Sequence, residues 1–154
     1  MTFWKEPPII KIYEALGALA DGRVEIFGDA AKVFSSSGQK FYEVRYDAAN
    51  HAITANDNGS YWKGYLGYPA ISYLFAIGVL TYEPGKAMEF KDIAWKDINT
   101  KYKNDFDKTI EHIFRDKSHE VRVGLENYAK ETLAEIQALK LSHFGPKQAP
   151  PDGY

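Results

Sequence analysis

The stretch that decides the fold is Val33-Phe-Ser-Ser-Ser-Gly-Gln-Lys-Phe-Tyr-Glu-Val-Arg-Tyr-Asp47. Its second half alternates in character, so Tyr42 and Val44 fall on one face of a strand and Glu43 falls on the other. The Ser-Ser-Ser-Gly run before it is a turn signal that separates this strand from a shorter one. The stretch therefore predicts a β-hairpin with one buried face.

The segments around this hairpin predict a small antiparallel sheet flanked by an N-terminal helix and a buried helix. Apolar residues recur at helical spacing over residues 9–20, and Asp21-Gly22 is a typical helix end. The remaining predicted elements are strands over 23–27, 31–35 and 51–55, a glycine- and aromatic-rich loop over 59–67, and a helix over 68–80. The fold class expected is α+β.

The C-terminal part of the chain predicts a helical hairpin. After Glu83-Pro84-Gly85 the composition becomes charged, and amphipathic patterns run over residues 93–114, with an interruption near 99–100, and over 121–139. A short connection favours two antiparallel helices, although one continuous helix is the alternative. We therefore expect a single domain over 1–144, with a core of about 9–80 and a hairpin over 86–144. Residues 145–154 contain three prolines and are expected to be a disordered tail.

Composition excludes several classes of function. The chain has 154 residues, is 45% hydrophobic and 26% charged, and so has the composition of an ordinary globular protein. A net charge of -2 gives no general attraction to nucleic acid or anionic lipid. There is no cysteine, which excludes disulfides and thiolate chemistry and fits a cytoplasmic location. The most apolar run, residues 70–80, is shorter than the ~20 residues of a membrane span. No membrane association and no cofactor are expected.

The order of elements over about residues 9–80 resembles the SWIM-type zinc-finger module. In that family a Cys-x-Cys on the return strand and a Cys-x-His at the start of the next helix bind one zinc ion. Here Ile53 and Ala55 occupy the first pair of positions, and Tyr68 and Ala70 occupy the second. The resemblance implies the hairpin-and-helix frame, together with the family's association with DNA binding and protein contacts. It does not imply zinc, because all four ligands are replaced, and no metal is expected.

An apolar contact is the expected replacement for the metal. A structural zinc ion supplies ~10–16 kcal/mol of apparent binding free energy in small fingers, whereas burying an Ile or Tyr side chain contributes roughly 1.5–3 kcal/mol. We expect Ile53 and Tyr68 to pack against each other. The C-terminal helices are expected to supply the remaining stability by covering one face of the sheet.

The loop over residues 58–68 is the leading candidate for a partner-binding surface. Aromatic side chains interleaved with lysine can anchor a protein partner or stack on bases. The residues predicted to bind a partner are Tyr61, Trp62, Lys63 and Tyr65, with Lys40 and Arg45 adding a modest basic patch. The alternative is that these rings cover the edge of the core and that the glycines allow tight bends.

The leading functional interpretation is a non-enzymatic binding module with a protein or nucleic-acid partner, and no catalytic residue is predicted. One alternative is a structural protein that forms a homo-oligomer through its C-terminal helices. Another is a small enzyme that uses His112 and His119 with neighbouring acids such as Asp107 and Glu111. Their spacing matches no dedicated metal or catalytic motif, and a solvated helix face explains them more simply.

Overall fold

The computed structural model describes residues 2–152 and confirms the α+β class. Within these described residues, five strands form one sheet in which strands adjacent in sequence are also adjacent in space. The strands are β1 Val24–Phe27, β2 Ala30–Phe34, β3 Phe41–Asp47, β4 Ala52–Ala55 and β5 Ser142–His143. The first four pair antiparallel, whereas β5 runs parallel to β4. The sheet is therefore mixed, because the predicted antiparallel strands are joined by one short parallel strand, β5.

Within residues 2–152, one α-helix precedes the sheet and five lie between β4 and β5. They are α1 Ile9–Ala20, α2 Tyr68–Ala76, α3 Pro84–Ala87, α4 Trp95–Lys101, α5 Phe106–Phe114 and α6 His119–Leu139. Short 3-10 turns occur at Ala48–Asn50 and Met88–Phe90. The second of these turns and α3 together cover residues 84–90, which follow the boundary predicted at Glu83-Pro84-Gly85.

The core lies on the inner face of the sheet, where α1 and α2 pack together and against the strands. The alternation predicted for β3 is confirmed, because Tyr42 and Val44 are buried while Phe41 and Glu43 are exposed. Helix α6 packs on α1 through a buried stripe that includes Leu125. The buried stripe of α6 is thus covered by the chain's own packing.

The predicted long helix over residues 93–114 is two helices. The break lies at residues 102–105, after the predicted interruption, because Lys103 and Asn104 adopt left-handed conformations with φ of 53° and 62°. The Asp105 side chain then caps α5 by accepting a hydrogen bond from the backbone N–H of Lys108 at 3.3 Å. A short connection follows, and the Ser118 side chain caps α6 in the same way.

The two ends of the described chain meet at β4 and β5. Phe3 forms a bridge to Ser142, and the Trp4 ring stacks on His143 with 3.6 Å between ring centroids. The indole nitrogen of Trp4 donates to the Ile53 carbonyl at 2.9 Å. Residues 145–152 form neither helix nor strand, and the last two residues of the predicted tail lie outside the described part. Between residues 2 and 152, no helix is both long and apolar enough to cross a membrane.

Candidate functional site

The aromatic loop is anchored at its base by a buried carboxylate. Residues Gly59–Lys63 form one turn of π-helix that starts directly after Asp57 and Asn58. The Asp57 carboxylate, only 5% exposed, accepts hydrogen bonds from the Ser60 backbone N–H at 3.2 Å and from the Ser60 hydroxyl at 2.5 Å. These bonds hold the first turn of the loop in a fixed position relative to the core.

Two glycines of the loop allow close approach of side chains. The Tyr65 ring lies against Gly59, and the Asp57 carboxylate lies against Gly67, in positions that a Cβ atom on either glycine would occupy. Tyr65 is consequently half-buried, and burial raises the pKa of its hydroxyl. The aromatic loop therefore belongs in part to the protein's own packing, as the alternative interpretation of the sequence expected.

Trp62 is the ring that the loop presents to solvent. Its side chain is 70% exposed, the largest value among the exposed large apolar residues of the described chain. Tyr61 packs edge-on against it at 4.7 Å between ring centroids, and Lys63 beside it is exposed. The loop thus offers one exposed indole with a supporting ring, and Tyr65 is not part of an exposed shelf.

Lys40 and Arg45, the other two predicted partner-binding residues, do not lie together. Lys40 directly precedes β3, and its ammonium contacts the Asp152 carbonyl. Arg45 lies near the other end of β3, on the exposed face that alternation assigns to it. The two cations therefore stand near opposite ends of the strand.

Two lysines from distant parts of the sequence approach the loop instead. The backbone N–H of Lys5 donates to the Gly64 carbonyl at 3.0 Å, and its side chain runs beside Gly64. The ammonium of Lys147 donates to the Tyr61 carbonyl at 3.3 Å. Sequence reasoning missed both, because only the fold brings the chain ends to this loop. With Lys63 they make the surroundings of Trp62 basic.

The four positions that carry zinc ligands in the SWIM module lie in or beside the core. Ile53 and Ala70 are fully buried, Ala55 is nearly so, and Tyr68 is half-buried with its ring edge-on to Tyr42. Within residues 2–152, no group of three or more His, Cys, Asp or Glu side chains is arranged to hold a metal ion. The predicted packing of Ile53 on Tyr68 stays a prediction.

A polar cavity of about 130 Å³ lies behind the base of the loop. It is partly open to solvent and is lined by α1, Arg23, the segment after β2, Tyr42 in β3, residues 57–59, Tyr68 at the start of α2, and α4. Its lining includes the ionisable or polar side chains of Lys11, Glu14, Arg23, Asp57 and Asn99, together with the indole of Trp95. Sequence reasoning missed this site, because its residues are scattered over seven segments of the chain.

A buried charge network forms one wall of the cavity. Lys11 and Glu14 pair at 3.0 Å, and the Asn99 side-chain N–H group donates to the other Glu14 oxygen at 2.9 Å. Burial alone would lower the pKa of Lys11, but the attraction of Glu14, Tyr65 and Asp57 outweighs it and keeps the pKa above 10.5. Burial raises the pKa of the Asp57 carboxyl, although Ser60 and Lys11 oppose the shift. Lys11 therefore stays charged over the whole neutral range.

The acidic and histidine residues of the C-terminal helices do not form a comparable site. The imidazole Nδ1 of His112 lies 3.0 Å from the Tyr102 hydroxyl, and His112 lines a wide depression together with Asp116. His119 and Glu111 are exposed, and neither lines that depression. The arrangement is that of a solvated helix surface with one tyrosine–histidine contact.

The chain belongs to the family described as uncharacterised conserved protein UCP014422, whose model matches residues 4–142. The match spans the loop, the cavity and all five strands except the last residue of β5. No curated protein and no solved structure matches the chain.

Proposed function

We propose that this protein is a non-enzymatic binding module that holds a protein partner through the loop over residues 58–68. The observation that carries the proposal is the exposure of Trp62 on a loop that Asp57 fixes to the core. A large ring held in place loses little conformational freedom on binding, and Trp is enriched among residues that dominate interface energy. Trp62 is the anchor in this account, and Tyr61 supports it from the side.

The basic surroundings of Trp62 define the chemistry of the partner. Lys5, Lys63 and Lys147 lie around the loop, so an acidic rim on the partner would be attracted to it. The same lysines favour nucleic acid as a second candidate, since bases stack on exposed rings. The net charge of -2 and the single exposed ring of the loop support the protein partner over the nucleic acid.

The proposal includes a metal-free, SWIM-like core beneath the loop. Its support is the burial of Ile53, Ala55 and Ala70 at positions where the family carries zinc ligands. Packing of apolar side chains at these positions would supply folding free energy that zinc coordination supplies in the SWIM module.

The proposal is tested by capture from a cell lysate with the purified protein, with and without nuclease treatment. The test variant is Trp62→Ala, and the matched control is Met88→Ala, which removes another exposed apolar side chain far along the sequence. We expect specific proteins to be captured by the wild type and the control but not by Trp62→Ala, whether or not nuclease is added. Equal capture by all three proteins would contradict the proposal, and capture that nuclease abolishes would favour the nucleic-acid partner.

A further inference from the structure

The polar cavity contains most of the unpaired buried polar atoms of the described chain. Across residues 2–152, four buried side-chain atoms lack a hydrogen-bond partner, and Thr109 Oγ1 is the one outside the cavity lining. The other three are Arg23 Nη2, Trp95 Nε1 and Asn99 Oδ1, all of which belong to residues that line the cavity. Leaving a buried polar atom unpaired is costly, so three such atoms on residues that line one cavity point to a polar occupant of that cavity.

Neighbouring groups fix which atom of each side chain remains available. Arg23 donates from Nε to Asp21 at 3.2 Å and from Nη1 to the Phe34 carbonyl at 2.6 Å, so Nη2 is left. Asn99 donates its N–H group to Glu14, which leaves its Oδ1 as an acceptor.

Trp95 is held rigidly beside the same cavity. It is 4% exposed and packs against Phe90, with 6.1 Å between the ring centroids. Gly17 packs closely against the indole nitrogen of Trp95, because a Cβ atom on Gly17 would lie only 2.7 Å from Nε1. The residues that line the cavity thus carry two donor groups and one acceptor without a hydrogen-bond partner.

These atoms define the chemistry of the ligand. A guanidinium N–H and an indole N–H are donors suited to a carboxylate, and charge strengthens the bond from arginine. Asn99 Oδ1 needs a donor on the ligand, and the neighbouring carboxylates of Glu14 and Asp57 also accept hydrogen bonds. A cavity of about 150 Å³ holds benzene in another protein, so this one has room for a molecule of about six non-hydrogen atoms.

We propose that the cavity binds a small carboxylate that also carries a hydroxyl or an ammonium group. The carboxylate would accept from Arg23 and Trp95, and the hydroxyl or ammonium group would donate to Asn99. This site is separate from the exposed face of Trp62, and it would stand if the loop held no partner.

The indole N–H signals in a ¹⁵N–¹H NMR spectrum give a direct test. The chain has three tryptophans, and Trp95 is the one that lines the cavity. The probes are L-lactate, L-alanine, acetate and lactamide. Lactate carries a hydroxyl group and alanine carries an ammonium group, so these two probes distinguish the two donors. Acetate lacks the donor, and lactamide lacks the negative charge. We expect saturable shifts of the Trp95 signal with lactate or alanine, about tenfold weaker binding of acetate and lactamide, and unchanged signals from Trp4 and Trp62.

Variants locate the binding groups. Arg23→Lys keeps the charge but removes Nη2, and Asn99→Ala removes the acceptor, while Thr109→Val removes the unpaired hydroxyl outside the cavity. We expect Arg23→Lys to bind lactate or alanine at least about tenfold more weakly, Asn99→Ala to lose the preference over acetate, and Thr109→Val to match the wild type. An unmoved Trp95 signal with every probe, or lactamide binding as tightly as lactate, would overturn the proposal even if Arg23→Lys failed to fold.

Discussion

Asp57 connects the loop, the cavity and the core at the scale of a single residue. Its carboxylate holds Ser60 at the start of the loop, lies against Gly67 before α2, and lines the cavity near Lys11. A carboxyl group in such a buried position is stabilised in its neutral form, since burial penalises the charge. The pKa of Asp57 is accordingly raised from 3.8.

The raised pKa predicts how Asp57 affects stability as the pH changes. Because the folded protein holds this proton more tightly than the unfolded chain, the stabilising contribution is full below about pH 3.8 and is lost as the pH rises through the folded-state pKa. We expect the free energy of unfolding of the wild type, relative to Asp57→Asn, to fall from about pH 4 upward. Urea denaturation of both proteins over a pH series measures this difference. A difference that grows with pH would contradict the assigned shift.

Substitution of Ile53 tests the importance of the buried position where the SWIM module carries a zinc ligand. It is 0% exposed, so Ile53→Asp would place a carboxylate in the core and remove apolar contacts. We expect a loss of at least about 3 kcal/mol in the free energy of unfolding. The matched control is Ile26→Asp in β1, where the side chain is 42% exposed and a much smaller loss is expected. Equal losses in urea denaturation would show that Ile53 has no special role in the core.

At the scale of elements, strong local patterns predicted structure well and weak ones did not. The alternation of β3 fixed its buried face, since a shift by one residue would expose Tyr42 and Val44. The break before α5 was misplaced, because left-handed Lys103 and Asn104 give only a weak signal in sequence. Strand β5 was missed because two residues carry no periodicity, and its pairing depends on where α6 ends.

Removal of the two large rings of the loop, Trp62 and Tyr65, is expected to change the stability of the protein to different extents. Trp62→Ala is expected to change the free energy of unfolding by less than about 0.5 kcal/mol, because the ring is exposed. Tyr65→Ala is expected to cost about 2 kcal/mol or more, because its ring is half-buried over Gly59. Denaturation midpoints of the two variants distinguish them. A large loss in Trp62→Ala would mean that the indole is part of the core and unavailable to a partner.

At the scale of the whole molecule, the fold was more predictable than the site. One core includes apolar residues from Ile10 to Leu141, and its pattern is visible along the chain. The cavity depends on contacts between α1, Asp57 and α4, which no local pattern reports. One signal was available: Lys11 and Glu14 are a charged pair at i, i+3 within an otherwise apolar helix. Such a pair on a buried helix indicates a polar site behind it.

The central claim is that Trp62 anchors a protein partner, and photo-crosslinking in cells tests it most directly. A benzophenone amino acid is placed at position 63, which is exposed beside Trp62, in one protein and at position 88, which is also exposed, in another. After irradiation and nuclease treatment, we expect a discrete crosslinked protein from position 63 that is lost when Trp62→Ala is added, and none of the same mass from position 88. No crosslinked protein from position 63, an unchanged crosslink in Trp62→Ala, or the same products from both positions would contradict the claim.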